Sequence, residues 1–305
     1  MLKFFMKQKN MQRMLLALLP IIFFSIFLFG WRIFLIIIIT NLVAVFTEYL
    51  FIRQRKNGKI SQAVFVTGTL LALSLPPTIP FWMASVGAIV AVTFGKMVFG
   101  GFGMNVFNPA MVGRTSIYVS FANAMTVRWL KPFTSFPGGF ATYLKPAHLT
   151  SATPITVLRD SGISTKFSDL FFGTISGSIG ETSALLVIIA TIYLIFTKTA
   201  KWQVMLSTIL SFTAFILIFY RSNPLPYILS GGLLFGVVFI ATDPVSMPKN
   251  KTAVWIFGGL VGFLTVFIRK FSLFAEGFMF SIILANTFMP IIEYTLNKSK
   301  QKGKK

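Results

Sequence analysis

Long apolar runs recur along the whole chain, and they constrain its fold more than any other feature of the sequence. Of the 305 residues, 55% are hydrophobic and only 11% are charged. Soluble domains average about 25% charged residues, so this composition excludes an ordinary globular protein and a disordered chain alike. A helix needs about 20 apolar residues to cross the hydrocarbon core of a bilayer. The sequence therefore predicts an all-α polytopic membrane protein.

Apolar segments of that length predict about ten transmembrane helices, several of them interrupted or ended by proline. The first apolar run continues into a second one, so the N-terminal segment is not interpreted as a cleaved signal peptide. The expected spans are roughly 14–30, 32–52, 61–75, 81–99, 108–125, 178–197, 203–220, 227–242, 252–269 and 275–295.

The strong positive charge indicates the orientation of the chain in the membrane. There are 28 basic and 7 acidic residues, for a net charge of +21. In a soluble protein this excess would suggest nucleic acid, but here the basic residues gather in short gaps between apolar runs, as in loops facing the cytoplasm and anionic lipid. We expect both termini in the cytoplasm, the 126–166 loop on the outer side of a cell inner (cytoplasmic) membrane, and no nucleic-acid partner.

The cysteine and histidine content restricts the redox chemistry available to the chain. It has no cysteine and a single histidine, His148. Disulfides, cysteine-ligated iron–sulfur clusters and a bis-histidine haem site are therefore excluded for this chain. No metal site is predicted, and any electron carrier held here must be organic.

One short pattern occurs twice at a constant spacing and predicts an internal repeat. The matched residues are Gly68, Pro76 and Pro80 in the first copy and Gly236, Pro244 and Pro248 in the second. Five expected spans separate the copies, and an odd number reverses their direction in the membrane, as in inverted-topology repeats whose broken helices meet inside the bilayer. Two unrelated helices that each end at proline would show the same pattern.

This pattern predicts a division of the chain into two membrane repeats with a long loop between them. The expected units are a first membrane repeat at 1–125, an extracytoplasmic loop at 126–166, a second membrane repeat at 167–297 and a basic cytoplasmic tail at 298–305.

The few acidic residues at or near membrane depth are candidates for ion binding or proton transfer, because a buried charge there is costly. Asp243, at the second proline break, and Glu276, at the start of the last span, are the predicted ion-pathway residues. Glu48 and Glu181 are weaker candidates. For each, the alternative is an acid that is paired or hydrated at the interface, and this alternative is favoured for Glu293, which basic residues follow.

A glycine-rich stretch at 100–103 is suited to close approach of the backbone to a planar or phosphorylated ligand. The candidate binding residues here are Gly101, Gly103, Asn108 and Arg114. Glycines also serve helix packing in membranes. Lys96 and Arg114 could balance the charge of an anionic ligand or extend to the interface.

Several segments together resemble one protein family, in the same order and over nearly the whole chain. They are GGFGMNVFNPAMVGR (100–114), TSATPITVL (150–158), GSIGETSALLV (177–187), ATDPVSMP (241–248) and AEGFMFSIILAN (275–286). The family contains the D subunit of the Rnf ion-translocating electron-transport complex and the B subunit of the sodium-translocating NADH:quinone reductase. The length of the chain is closer to the Rnf protein.

The resemblance implies a covalent flavin in the long loop. In this family a threonine in a motif like Asp-x-x-Ser-Gly-Ala-Thr is joined by a phosphoester to FMN, attached by a flavin transferase outside the cytoplasm. The matching acceptor is Thr153, preceded by Ala152 and by Ser151 at the glycine position. Ala147 stands where the family often has aspartate. A second, noncovalent riboflavin is implied near residues 100–114 and the Asp243 break.

The predicted function is therefore a membrane flavoprotein subunit of an Rnf-type complex, part of an ion-translocating oxidoreductase. It would relay electrons through covalent FMN, coupled to movement of Na⁺ or H⁺, with the other subunits of the complex, the flavin transferase and membrane lipid as partners. The alternative is a channel or secondary transporter with inverted repeats and no redox role. A scaffold subunit without flavin is a third possibility.

Overall fold

The chain forms an almost entirely helical bundle in the computed structural model. The structure describes residues 5–53, 55, 58–142, 149–150, 152–272, 274 and 276–302. Ser151, Ala147 and His148 lie outside the described residues. Fourteen α-helices are described: α1 Lys9–Phe29, α2 Arg32–Ile52, α3 Ala63–Leu73, α4 Phe81–Val92, α5 Pro109–Ser120, α6 Ala122–Thr126, α7 Pro154–Ser161, α8 Phe167–Phe172, α9 Ala184–Phe196, α10 Trp202–Phe219, α11 Leu225–Leu229, α12 Leu233–Phe235, α13 Lys251–Phe271 and α14 Phe278–Lys302.

Shorter elements extend or connect these helices. Turns of π-helix continue α4 over Thr93–Met97 and α12 over Gly236–Ile240, and a 3₁₀ turn covers Gly138–Ala141. The described strands are β1 Phe5–Met6, β2 Ile60–Ser61, β3 Trp129–Leu130 and β4 Leu149–Thr150. Strands β1 and β2 pair in parallel, and β3 and β4 pair antiparallel.

Five of the described helices are long and apolar enough to cross a membrane: α1, α2, α10, α13 and the Phe278–Ser299 part of α14. Three shorter apolar helices accompany them, at Ala63–Leu73, Phe81–Met97 and Ala184–Phe196. A polytopic membrane protein, as expected from the apolar runs, fits this architecture. The first helix begins earlier than expected, because the polar segment from Lys9 onward continues the helix and Arg13 donates to the Thr197 carbonyl at 2.8 Å.

The helix expected at 178–197 is shorter than predicted, because its first residues form hydrogen bonds with the end of α3 and are not helical. The N–H groups of Ile179 and Gly180 bond the carbonyls of Leu75 and Leu73, at 3.0 and 2.7 Å. These hydrogen bonds satisfy carbonyls at the end of α3 that have no partner within the helix. An unsatisfied carbonyl would cost free energy in an apolar interior. Helix α9 consequently begins only at Ala184, where the Ser183 hydroxyl accepts from a backbone N–H.

The expected span at 227–242 is divided into α11 and the α12 segment. Gly231 and Gly232 separate them, and both have positive φ, of 69° and 68°. A left-handed conformation of this kind is readily adopted by glycine and ends the first helix before the second begins.

Hydrogen bonds between connections define two opposite ends of the bundle. At the end called here the N-terminal end, β1 lies beside β2 and the Asn250 amide donates to Asn297 at 3.0 Å. At the end called here the loop end, the Trp31 N–H donates to the Thr142 carbonyl at 3.1 Å and the Thr78 hydroxyl to the Arg128 carbonyl at 2.6 Å. The helices run between these two ends, with a large apolar core between them and a smaller apolar cluster that includes Leu170 and Leu229.

Candidate functional site

Thr153 lies at the N-cap of α7, immediately before Pro154 at the first helical position. Proline is favoured there because its missing N–H would have no partner in the first turn. Thr153 is 6% exposed, and its Oγ1 lies 3.1 Å from Oγ1 of Thr156. The two residues form a capping box, in which Thr156 Oγ1 also accepts from the Thr153 N–H at 2.8 Å. Local sequence therefore orients the Thr153 hydroxyl.

Two cavities meet at Thr153, and they differ in charge. The first, called here the polar cavity, is lined by Lys131, Pro132, Thr134, Ala152, Thr153, Pro154, Val157, Thr165, Thr174, Ile175 and Ser176. The second, called here the acidic cavity, is lined by Thr153, Pro154, Ile155, Ile175, Ser176, Gly177, Ser178, Glu181, Gly231, Gly232 and Glu276. Thr153 and Ala152, both expected from the sequence to bind the cofactor, share the polar cavity.

Arg114, in α5, contacts two of the acidic residues that line the acidic cavity. Its Nη1 lies 2.7 Å from Glu181 Oε1, and its Nη2 contacts both the Glu276 carboxylate and the Ser178 hydroxyl. The side chains of Arg114 and Glu181 are nearly completely buried. Arg114 therefore does not extend to the interface, and it already pairs with two carboxylates of its own chain.

Gly232 allows this ion-pair network to close. A Cβ at this position would lie within 2.6 Å of both Glu181 carboxylate oxygens, and the backbone φ of 68° already favours glycine. A second arginine holds the neighbouring backbone: Arg269 donates to the carbonyls of Glu276, Tyr227 and Gly231, at 2.9, 2.9 and 3.0 Å. The sequence pattern did not single out Arg269 as a site residue, because it is the last residue of the expected span at 252–269.

Asp243 and Asn108 meet at a different cavity, toward the N-terminal end. Asn108 Nδ2 donates to Asp243 Oδ2 at 3.3 Å, and the Ser246 hydroxyl donates to the same oxygen at 2.9 Å. Asn108 also caps α5, since its Oδ1 accepts from the Met111 N–H. The cavity is lined in part by Thr67, Lys96, Phe102, Asn105, Asn108, Phe239 and Asp243. Phe102 lies within the glycine-rich stretch and Asn105 lies two residues after it, and neither was among the predicted binding residues.

Lys96 is buried beside this cavity in an ion pair with Glu48. The two charged atoms are 2.6 Å apart, and both side chains are 2% exposed. The Ser61 hydroxyl bonds both of them, so three segments of the chain are joined at one point. The sequence suggested that Lys96 either balances the charge of a ligand or extends to the interface. In the structure it pairs instead with Glu48 of its own chain, as Arg114 pairs with Glu181 and Glu276.

The remaining predicted residues do not all come together. Gly101 and Gly103 have positive φ, of 108° and 87°, and Gly101 borders a fourth cavity with Arg55 and Lys59. Asp243 and Glu276, the two predicted ion-pathway residues, lie in separate polar clusters. Glu293 accepts from the N–H groups of Lys249 and Asn250, both at 2.9 Å, and so holds the start of α13.

Comparison with known proteins gives one consistent family. A sequence model described as the NQR2, RnfD, RnfE family matches residues 6–302. A protein of Clostridium ljungdahlii, named as the D subunit of a proton-translocating ferredoxin:NAD(+) oxidoreductase complex, is 36% identical over 304 residues, covering 93% of this chain and 88% of the relative.

Other relatives carry a different name, and this chain matches a smaller part of their length. The B subunit of the Na(+)-translocating NADH-quinone reductase of Ectopseudomonas mendocina is 35% identical over 273 residues, which cover 84% of this chain. The protein of the same name from Stutzerimonas stutzeri is 37% identical over 273 residues. The chain spans 64% of the length of each of these two relatives.

Proposed function

Because the chain belongs to the NQR2, RnfD, RnfE family, we propose that it is a membrane subunit of an Rnf-type ion-translocating electron-transport complex. The relative that it matches over 88% of its length carries the name of a ferredoxin:NAD(+) oxidoreductase complex, which favours the Rnf type. In this role the chain relays electrons within an oxidoreductase whose other subunits bind the soluble electron donor and acceptor. The electron transfer is coupled to movement of Na⁺ or H⁺.

The electron carrier in this proposal is FMN joined by a phosphoester to the Thr153 hydroxyl. The surroundings of Thr153 fit such a group, because the residue caps a helix and opens onto the polar cavity. Lys131 and the hydroxyls of Thr134 and Thr165 line this cavity and suit a phosphate and a polyhydroxyl chain. When bound, the flavin supplies the acceptance and release of one or two electrons.

Charge decides which of the two cavities beside Thr153 takes the phosphate. The acidic cavity carries the carboxylates of Glu181 and Glu276, which disfavour a further negative charge there. The polar cavity carries Lys131 and no acidic residue among its described lining. The phosphate therefore lies on the Lys131 side of Thr153. Ser151 and Ala152 precede the acceptor in the attachment motif.

The cavity at Asp243 is the proposed position of a second flavin, riboflavin. Phe102 and Phe239 supply apolar surfaces, and Asn105 and Asn108 supply amide groups for a heterocyclic ring. Gly101 and Gly103 have positive φ, and this backbone conformation, which favours glycine, turns the loop beside the cavity. In this arrangement Arg114 acts elsewhere, because it fixes the carboxylates beside Thr153.

Ion coupling requires that a change of redox state alters the affinity or accessibility of an ion site. Asp243 and Glu276 remain the proposed sites, one beside each proposed flavin position. Since they lie in separate clusters, an ion that uses both must pass from one cluster to the other.

In the proposed topology, about ten membrane-crossing or half-crossing helices form two inverted-topology repeats. Helices α2, α4 and α5 are followed by α10, α13 and α14 at nearly the spacing that separates Gly68 from Gly236, which supports this arrangement. The greater basic charge of the N-terminal end supports cytoplasmic termini in an inner membrane. The loop end then faces the flavin transferase.

Covalent attachment is tested by in-gel flavin fluorescence after denaturation, with the chain coexpressed with a flavin transferase. The wild-type band should fluoresce, and Thr153→Ala should not. Ser161→Ala, which alters a hydroxyl at the far end of α7 away from both cavities, is the matched control and should retain the signal. Fluorescence that survives Thr153→Ala would remove Thr153 as the acceptor. A wild-type chain that stays colourless would favour a permeation role instead.

A further inference from the structure

The hydrogen bonds of Thr156 determine the direction in which the Thr153 hydroxyl points its proton. Thr156 Oγ1 donates its only proton to the Thr153 carbonyl at 2.7 Å and accepts from the Thr153 N–H at 2.8 Å. A hydroxyl has one donor and two acceptor positions. Across the 3.1 Å contact between the two hydroxyls, Thr156 can therefore only accept, and Thr153 is the donor. A lone pair of Thr153 Oγ1 is left free.

We infer that Thr156 is a positioning residue for the modification of Thr153. It holds the acceptor hydroxyl in one orientation, with the proton directed toward Thr156 and a lone pair available to an incoming phosphorus atom. Thr156 itself forms no bond to the flavin. This inference rests on the proposed attachment of FMN at Thr153.

The reaction that this orientation serves is a phosphoryl-group transfer from a flavin dinucleotide held by the transferase. A bond forms between Thr153 Oγ1 and the phosphorus of the flavin mononucleotide half. The bond from that phosphorus to the bridging oxygen of the diphosphate breaks, and the nucleoside monophosphate leaves with the electron pair. As the new bond forms, the hydroxyl proton leaves its hydrogen bond to Thr156 and passes to a base of the transferase, and no oxidation or reduction occurs.

Two properties of the site give orientation a large effect on this step. Thr153 is 6% exposed and its hydroxyl contacts Thr156, so burial and this contact limit the directions that the hydroxyl can take. A correctly oriented nucleophile avoids an entropic cost at the moment of reaction. Loss of one orienting hydrogen bond corresponds to about a tenfold slower step.

Thr156 also stabilises α7 through the capping box, so the test must separate capping from positioning. Thr156→Gln provides this separation, because glutamine three residues after an N-cap threonine accepts from the N-cap N–H and preserves the box. It removes the short hydroxyl that receives the Thr153 proton. Thr156→Val removes both functions, and Thr156→Ser retains both.

The experiment measures flavin incorporation into the purified full-length chain by purified transferase and flavin dinucleotide, followed by gel fluorescence and intact mass. We expect Thr156→Val and Thr156→Gln to lower kcat about tenfold with little change in KM for the chain, and Thr156→Ser to restore it. Ser161→Ala is the matched control, since Ser161 bonds the Val157 carbonyl at the far end of α7. It should react at the wild-type rate.

The outcomes distinguish failure of this inference from failure of the proposed function. Wild-type kcat in Thr156→Gln, or a change confined to KM, overturns the positioning role and leaves the attachment intact. If the wild-type chain takes no flavin, or if Thr153→Ala still takes it, both the attachment at Thr153 and the positioning role are overturned. Thermal unfolding of each variant verifies that Thr156→Gln and Thr156→Ser are folded.

Discussion

At the scale of single residues, five largely buried charged side chains of the described residues form ion pairs with one another. Arg114 contacts Glu181 and Glu276, and Lys96 contacts Glu48. Moving a charged side chain from water into the protein interior costs free energy. An oppositely charged partner in good geometry offsets much of that cost. These residues are therefore held in defined positions, and the loss of one partner leaves the other charge exposed to an apolar interior.

We predict that Arg114→Met destabilises the protein by roughly 3–5 kcal/mol, because it leaves two buried carboxylates without their cation. The measurement is the apparent thermal unfolding midpoint in detergent. Asp160→Asn is the control, since the Asp160 side chain is 64% exposed and its ion pair with Arg159 should contribute less than about 1 kcal/mol.

A triple variant tests whether the effect arises from charge. Arg114→Met combined with Glu181→Gln and Glu276→Gln should recover part of the lost midpoint, because no unpaired carboxylate remains. An Arg114→Met protein as stable as the wild type would show that the network does not stabilise the fold.

At the scale of elements, glycine positions determine how closely helices approach. Helix α13 carries three glycines, and they face different surroundings. A Cβ on Gly262 would lie 2.5 Å from the Thr208 carbonyl oxygen and 2.9 Å from the Phe212 nitrogen, both in α10. A Cβ on Gly259 would meet nothing within 4 Å. The same helix therefore contains a tight contact and a matched open position.

We predict that Gly262→Ala separates α10 from α13 and costs roughly 1–3 kcal/mol, as overpacking typically does. Gly259→Ala should be neutral or stabilising by up to about 1 kcal/mol, because alanine favours the helix over glycine. Thermal unfolding of both variants in detergent measures the difference. Equal destabilisation by the two substitutions would contradict close packing at Gly262.

At the scale of the whole molecule, the two ends of the bundle carry different polar clusters. The loop end holds Thr153 with its two cavities, and the Asp243 cavity lies toward the N-terminal end. In the proposed orientation, the proposed covalent flavin would lie outside the cytoplasm and the proposed second flavin inside. Asn108 and Arg114, which contact the two clusters, are six residues apart at α5, so the clusters are about 9 Å apart along that helix.

Introduced cysteines test this orientation, because the chain has none of its own. Asp160→Cys, exposed at the end of α7, should react with a membrane-impermeant maleimide on intact cells. Lys251→Cys, exposed at the start of α13, should react only after the membrane is permeabilised. The reverse labelling pattern would invert the proposed topology and place Thr153 away from an external transferase.

Hydrophobic patterning by itself determined the membrane class and most helix positions, because the need for apolar length is a local property of the chain. It determined α2 and α4 closely, and it missed the late start of α9 and the division of the 227–242 segment. Those differences arise from long-range hydrogen bonds to α3 and from the conformation of Gly231 and Gly232.

Only the tertiary structure decided which charges meet. Arg114 lies far along the chain from both Glu181 and Glu276, and the interaction between them exists only because α5 packs beside the segments that carry the two acids. Residue types show which side chains can form an ion pair. The choice of partner depends on which helices are adjacent. The energy of an ion pair depends on the distance between the two charges in space and does not depend on their separation in sequence.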